Sequence, residues 1–229
     1  MNFSLARRAG TEFLGTAFLL TAVVGSGIMA ERLSGGNVAI ALQANSIATG
    51  AALIALILTF GPISGAHFNP LVTFADALSG GLAGVDVLCY VLAQFAGALA
   101  GTINAHFMFG LPGFTLSQHA RSGPAQLYAE VVATFGLVAV ISACSRLNRK
   151  AVSLAVGTYI AAAYWFTSST SFANPAVTVA RCVTDTFAGI RPQDVPGFVF
   201  AEIVGAGIAF VLSRWLIPAR LSAESGAYR

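Results

Sequence analysis

Long apolar runs separated by short polar breaks dominate this 229-residue chain. A run of roughly 20 apolar residues is the length an α-helix needs to cross the hydrocarbon core of a bilayer. The pattern predicts six such spans, at about Thr11 to Met29, Ile40 to Phe60, Val85 to Phe109, Gln126 to Ser145, Val152 to Thr167 and Val195 to Ile217. Two further helical patterns, Asn69 to Leu78 and Asn174 to Phe187, are too short to cross alone. They are predicted to be re-entrant, a form tolerated only where protein or a water-filled cavity satisfies the free backbone groups.

Composition points the same way: 56% of residues are hydrophobic, 9% are charged and mean hydropathy is +0.78. A soluble domain carries about 25% charged residues. The first apolar run is too long for a secretory signal and lacks its small-residue cleavage site, so it reads as a retained span. Lys and Arg set the orientation. With the amino terminus inside, Arg7, Arg8, Arg146, Arg149, Lys150, Arg214, Arg220 and Arg229 are cytoplasmic, against Arg32, Arg121, Arg181 and Arg191 outside. That bias predicts both termini in the cytoplasm of a bacterial inner-membrane protein. The net charge of +3 follows from the same rule and is no sign of a nucleic-acid partner. Cys89, Cys144 and Cys182 have no metal or CxxC spacing and read as buried thiols. No metal or other cofactor is implied.

The chemistry concentrates in two segments, Ser64-Gly65-Ala66-His67-Phe68-Asn69-Pro70-Leu71 and Ser171-Phe172-Ala173-Asn174-Pro175-Ala176. Each places Asn-Pro at the mouth of a short helix. Pro suits the first helical position, and Asn before it caps the helix while its amide can still donate to a solute. Two such helices in corresponding places of two apolar halves point their positive ends at a shared path. The halves are a repeat, approximately residues 5–110 and 124–218, within one domain. Glu12 and Thr16 open the first span as Glu130 and Thr134 open the fourth, and Ala93-Gln94, Gly97 and Gly101 match Ala201-Glu202, Gly205 and Ala209. Three spans per half is odd, so the second copy is inverted.

On these words and this repeat the sequence resembles the aquaporin and glycerol-facilitator family of major intrinsic proteins, from Glu12 to about Ile217. The resemblance implies an all-α membrane fold of six spanning helices and two re-entrant half-helices in an inverted repeat. It also implies a homotetramer with one pore per subunit, passive flow of small neutral solutes, and two constrictions. The inner one is Asn69, Pro70, Leu71 with Asn174, Pro175, Ala176; Leu71 replaces the family's usual Ala. At the outer one the family's arginine position is Val177. Carried over by spacing, the other filter positions are Thr49, Ala162 and Ser171, so four small side chains predict a wide filter without a fixed charge. A neighbouring bulky group, Tyr164, Trp165 or Phe172, is the alternative occupant. The missing arginine resembles the bacterial AqpS-type aquaporins associated with arsenic resistance, which adds arsenite and methylated arsenicals to water, glycerol and urea as expected solutes.

Arg181, one helical turn beyond Val177, can line the outer vestibule, or else pair with Asp185 or loop carbonyls. The resemblance gives Glu12 and Glu130 a structural role as acceptors for the re-entrant loops; a proton relay through these acids or Glu202 is the alternative. His67 can brace its loop or line the inner vestibule, while His106 and His119 carry no stronger signal. A proton-coupled secondary transporter shares inverted repeats and buried acids but needs a charged midplane site. An enzyme needs converging nucleophile, base and oxyanion donors, which no motif supplies.

Overall fold

The computed structural model describes residues 3–217, so Arg220 and Arg229, like residue 218 of the second repeat, lie outside the described residues. Eight α-helices follow in order: α1 (Leu5–Leu33), α2 (Val38–Ser64), α3 (Pro70–Leu78), α4 (Gly84–Met108), α5 (Pro124–Leu147), α6 (Val152–Phe166), α7 (Pro175–Ala180) and α8 (Val195–Leu216). No strand occurs among the described residues. The spans extend past their apolar runs because capping and not apolarity ends them. Asn37 accepts from the Ala39 and Ile40 amides to start α2, and Gly65, in the left-handed region at φ 97°, closes it.

Among the described residues five helices are long and apolar enough to cross a membrane. The remaining predicted span, the fifth in order, is α6, whose 15 residues make about 22 Å of helix against a hydrocarbon core of about 30 Å. A 3-10 turn at Arg149–Ala151 precedes it and a tight turn at residues 167–169 follows it. The second re-entrant helix is also shorter than its pattern. It stops at Ala180 and a 3-10 turn at Arg181–Val183 follows, since the cap at Arg181 already satisfies carbonyls of the last turn.

Packing repeats between the halves. Helix α1 lies against α2 and α4, α5 lies against α6 and α8, and α2 meets α6 between the halves. The third span of each half comes very close to the first. A methyl group at Gly97 or Gly101 would overlap the carbonyl oxygens of Phe13 or Ala17, and one at Gly205 would overlap that of Val131. Small residues allow this approach where lipid offers no hydrophobic drive between helices.

Two fully buried carboxylates hold the re-entrant loops. Glu12 accepts from the Ser64 hydroxyl at 2.6 Å, the amides of His67 at 3.0 Å and Phe68 at 2.7 Å, and Gln94 Nε2 at 2.8 Å. Glu130 accepts from the amides of Phe172 at 2.9 Å and Ala173 at 2.8 Å. These bonds offset a strained backbone: Ala66, Phe68, Thr170, Ser171 and Ala173 all take left-handed φ values of 49–64°. Each costs about 1–2 kcal/mol in a residue with a Cβ, comparable to what a hydrogen bond to a charged acceptor contributes.

Gly101→Ala should lower the melting temperature in detergent, and Gly101→Leu should prevent assembly. Overpacking of this kind costs about 1–3 kcal/mol per site when the structure can still adjust. Glu12→Ala should destabilise more than Glu12→Gln, because each buried amide left without an acceptor costs about 1–3 kcal/mol. Size-exclusion profiles after heating read both predictions. A Glu12→Ala protein that melts like the wild type would show that the loop does not depend on this carboxylate.

Candidate functional site

The two asparagines meet at the centre of the molecule, each tied to the other's loop. Asn69 Nδ2 donates to the Ala173 carbonyl at 2.8 Å, and Asn174 Nδ2 donates to the Phe68 carbonyl at 2.7 Å. Their Oδ1 atoms cap the half-helices, accepting from Leu71 N at 2.9 Å and from Ala176 N at 3.0 Å. Pro70 and Pro175 occupy the first helical positions. Each amide therefore spends one N–H on the partner loop and keeps a second, and both asparagines line the central cavity. The half-helix ends add about half a positive charge each at this level. Leu71 turns away into a small apolar cluster with Val138, Ala206 and Ala209, while Ala176 is fully buried.

The cavity, of about 890 Å³, runs from the end of the molecule carrying the amino terminus, past the asparagines, to Arg181. Arg146, Arg149, Lys150 and Asp76 line its inner mouth. His67, half-buried, lines it further in, with Nδ1 3.1 Å from the Thr73 hydroxyl. Thr73 in turn donates to the Asn69 carbonyl at 3.1 Å, so His67 braces the first loop from the wall.

At the other end the cavity is lined by Thr49, Tyr164, Ser171, Phe172, Val177 and Arg181. Ala162 is not among them: it is exposed on the far side of α6. Successive helical residues turn about 100°, so Ala162 points some 200° away from both Ile160 and Tyr164, which face the cavity. The α6 side chain that lines this end of the cavity is Tyr164, two residues further along the chain. Its hydroxyl lies 3.3 Å from the Thr49 hydroxyl. The filter is thus not made of four small side chains. Trp165 is outside it, half-exposed and donating from Nε1 to the Ser46 hydroxyl at 3.1 Å.

Nor is a fixed charge missing. Arg181 is 2% exposed, its Nε donates to the Ala188 carbonyl, and its guanidinium carbon lies 3.4 Å from the centroid of the Phe172 ring. Asp185 is not its partner, accepting instead from the Gln118 amide at 2.8 Å. A second guanidinium, Arg121, lies 5.1 Å from the same ring. Arg121 comes from the loop after α4 and joins three chain segments by donating to the carbonyls of Gly189 at 2.7 Å, Ser169 at 3.2 Å and Phe187 at 3.3 Å. Burial lowers its pKa to about 10, with Glu130 opposing the shift, so it remains charged at neutral pH. Burial, and then the charges of Arg121 and Arg181, hold the nearby His119 imidazole below its ordinary value.

Other sequence candidates fall outside the cavity wall. Buried His106 ties the loop after α4 to the loop after α7, with Nδ1 2.6 Å from the Pro112 carbonyl and Nε2 2.7 Å from the Thr184 hydroxyl. Glu202 accepts from the Thr178 hydroxyl at 2.5 Å, where its repeat partner Gln94 bridges Glu12 and Thr73. The cysteines are free and half-buried. Sequence reasoning passed over Arg121, counted only as an outside charge, and Thr73 and Thr178. Repeat alignment pairs the two threonines, each four residues after its asparagine.

Comparison with known proteins agrees with this geometry. The family model described as Major intrinsic protein matches residues 1–163. The chain is 58% identical to Aquaglyceroporin AqpS of Rhizobium meliloti (strain 1021), over 96% of this chain and 94% of that one. It is 31% identical to Aquaporin NIP1-3 of Oryza sativa subsp. japonica, over 90% and 73%. Its fold matches the X-ray structure of the aquaglyceroporin from Plasmodium falciparum with a TM-score of 0.71 at 21% identity, covering 96% of this chain and 99% of that one. The apolar spans, the paired half-helices and these matches identify an integral membrane protein, and the chain belongs to the major intrinsic protein family, whose members are channels for small solutes and not enzymes.

Proposed function

We propose that the chain is an aquaglyceroporin-type channel that passes water, glycerol, urea, arsenite and methylated arsenicals down their gradients. The observation that carries this reading is the central cavity with the two asparagine amides in its wall, a neutral donor pair beside two positive helix ends. Such a wall replaces the hydration of a neutral hydroxylated molecule and opposes a cation. Arsenite and methylated arsenicals are compact and hydroxylated, like small polyols. The constriction they meet consists of Thr49, Tyr164, Ser171 and Val177, with Arg181 in the outer vestibule and His67 in the inner one. The channel works as a homotetramer, one pore per subunit, in the bacterial inner membrane. The excess of basic residues at one end, Arg7, Arg8, Arg146, Arg149, Lys150 and Arg214, supports an amino-terminal end in the cytoplasm.

A proton-coupled transporter needs a charged substrate site at the midplane, where Asn69 and Asn174 line the cavity together with apolar side chains such as Leu19, Val23 and Ile160. The acids Glu12 and Glu130 are engaged with loop amides instead.

Stopped-flow light scattering of proteoliposomes should show glycerol and urea flux well above protein-free vesicles and unaffected by collapsing a proton gradient. In matched amounts of inserted protein, Asn174→Leu should cut glycerol flux by roughly tenfold or more, because the donor at the midplane is lost and an apolar group replaces it. Normal flux through that variant would remove Asn174 from the path. Val177→Arg should suppress glycerol and a methylated arsenical more than water, since Arg is longer and permanently charged. Equal retention of all three would mean that Val177 does not line the constriction.

A further inference from the structure

We propose that Arg181, at the vestibule edge of the outer constriction, determines its specificity, presenting its free guanidinium N–H groups, together with the Ser171 hydroxyl, to the oxygens of a passing solute. This assignment rests on the pore reading above. It starts from a contrast between the two arginines that meet the Phe172 ring.

Arg121 is committed: its Nε and both terminal nitrogens donate to the carbonyls of Gly189, Ser169 and Phe187, Nη1 also reaches the Thr170 hydroxyl at 3.4 Å, and it does not line the cavity. Arg181 has one bond, from Nε to the Ala188 carbonyl, and lines the cavity. Of the five N–H groups of a guanidinium, four are left for whatever passes. The Phe172 face and the Ala188 carbonyl fix the plane of the fork, so little side-chain entropy remains to be lost on contact with a solute.

Ser171 supplies an independent observation. Its hydroxyl is buried and has no hydrogen-bond partner, although the residue lines the same end of the cavity. A buried hydroxyl without a partner costs free energy unless something that visits the site can bond to it. The paired hydroxyls of Thr49 and Tyr164 line the same end of the cavity. Charged donors and hydroxyls together suit a small neutral molecule with two or more oxygens, such as a polyol.

Among the described residues no carboxylate lies within ion-pair distance of Arg181. Asp194 is paired with Arg191 at 3.1 Å and Asp185 accepts from the Gln118 amide. Glu130 accepts from the Phe172 and Ala173 amides. A guanidinium beside the path without an ion-pair partner repels protons and other cations. In this chain the duty therefore falls one helical turn beyond Val177.

The test compares proton leak, glycerol flux and water flux in proteoliposomes holding wild type, Arg181→Gln, Ser171→Ala or the double variant Val177→Arg with Arg181→Gln. Gln removes the charge but can still donate to the Ala188 carbonyl. Arg181→Gln should raise proton leak by roughly tenfold, the factor that about 1.4 kcal/mol of lost barrier carries, and lower the glycerol-to-water ratio. The double variant should return the leak to the wild-type level, and Ser171→Ala should lower glycerol flux while sparing water. An assembled Arg181→Gln channel with wild-type leak and wild-type glycerol-to-water ratio overturns the assignment. Should that variant not assemble, Phe172→Leu serves, since it removes the ring that fixes the fork; an unchanged leak and ratio there overturns it equally. A wild type without glycerol flux overturns the pore reading instead, and the leak comparison then still decides the role of Arg181.

Discussion

Backbone at membrane depth has no water to turn to, and the whole site depends on how two short loops escape that constraint. Each loop must reverse direction in the middle of the protein with left-handed residues that carry side chains. Glu12 and Glu130 make this possible by accepting the amides that the turn leaves unpaired. Once those amides are fixed, the asparagine that follows can only cap its half-helix and reach across to the other loop. The positions of both midplane donors are therefore set by two acids that never touch the solute.

The same logic explains why the halves are alike at the centre and unlike at their ends. Near the asparagines both halves solve one problem, and the bonds repeat residue for residue, Asn69 to Ala173 and Asn174 to Phe68. Away from the centre each half meets a different environment. The loop after α7 is held by Arg121 from the segment after α4 and by buried His106, and the first half has no counterpart to these contacts. The inner mouth instead collects Arg146, Arg149 and Lys150 from the α5–α6 connection.

Much of this was readable from local pattern. Apolar length located the spans, and Asn-Pro located both half-helices, because capping and the first helical turn are local physics. The outer constriction was less readable, for reasons that are not local. Ala162 and Tyr164 lie two residues apart on α6, and the loop that joins α6 to Asn174 has a shape only the fold fixes, so a two-residue error turns a side chain from the cavity to the far side of the helix. Arg121 lies 51 residues from Phe172 in sequence and meets it only through the folding of two loops. Arg181 had the right spacing, but whether it paired with Asp185 depended on Gln118 claiming that carboxylate first. The length of α7 was misjudged because the helical pattern continues past the point where a 3-10 turn takes over.

The crossed asparagine bonds have a consequence for how the molecule is made. Phe68 offers its carbonyl to a partner 106 residues further along, and Asn69 donates to one 104 residues away. When the first three spans have left the ribosome, Glu12 can already shape the first loop, since everything it binds lies before residue 95. The Phe68 carbonyl and the Asn69 amide, however, face a partner not yet synthesised. Until the second half arrives, that polar centre is open, and the nascent chain must be sheltered by water or by the insertion machinery. Synthesis order thus makes the first half a waiting template and the second half the piece that closes it.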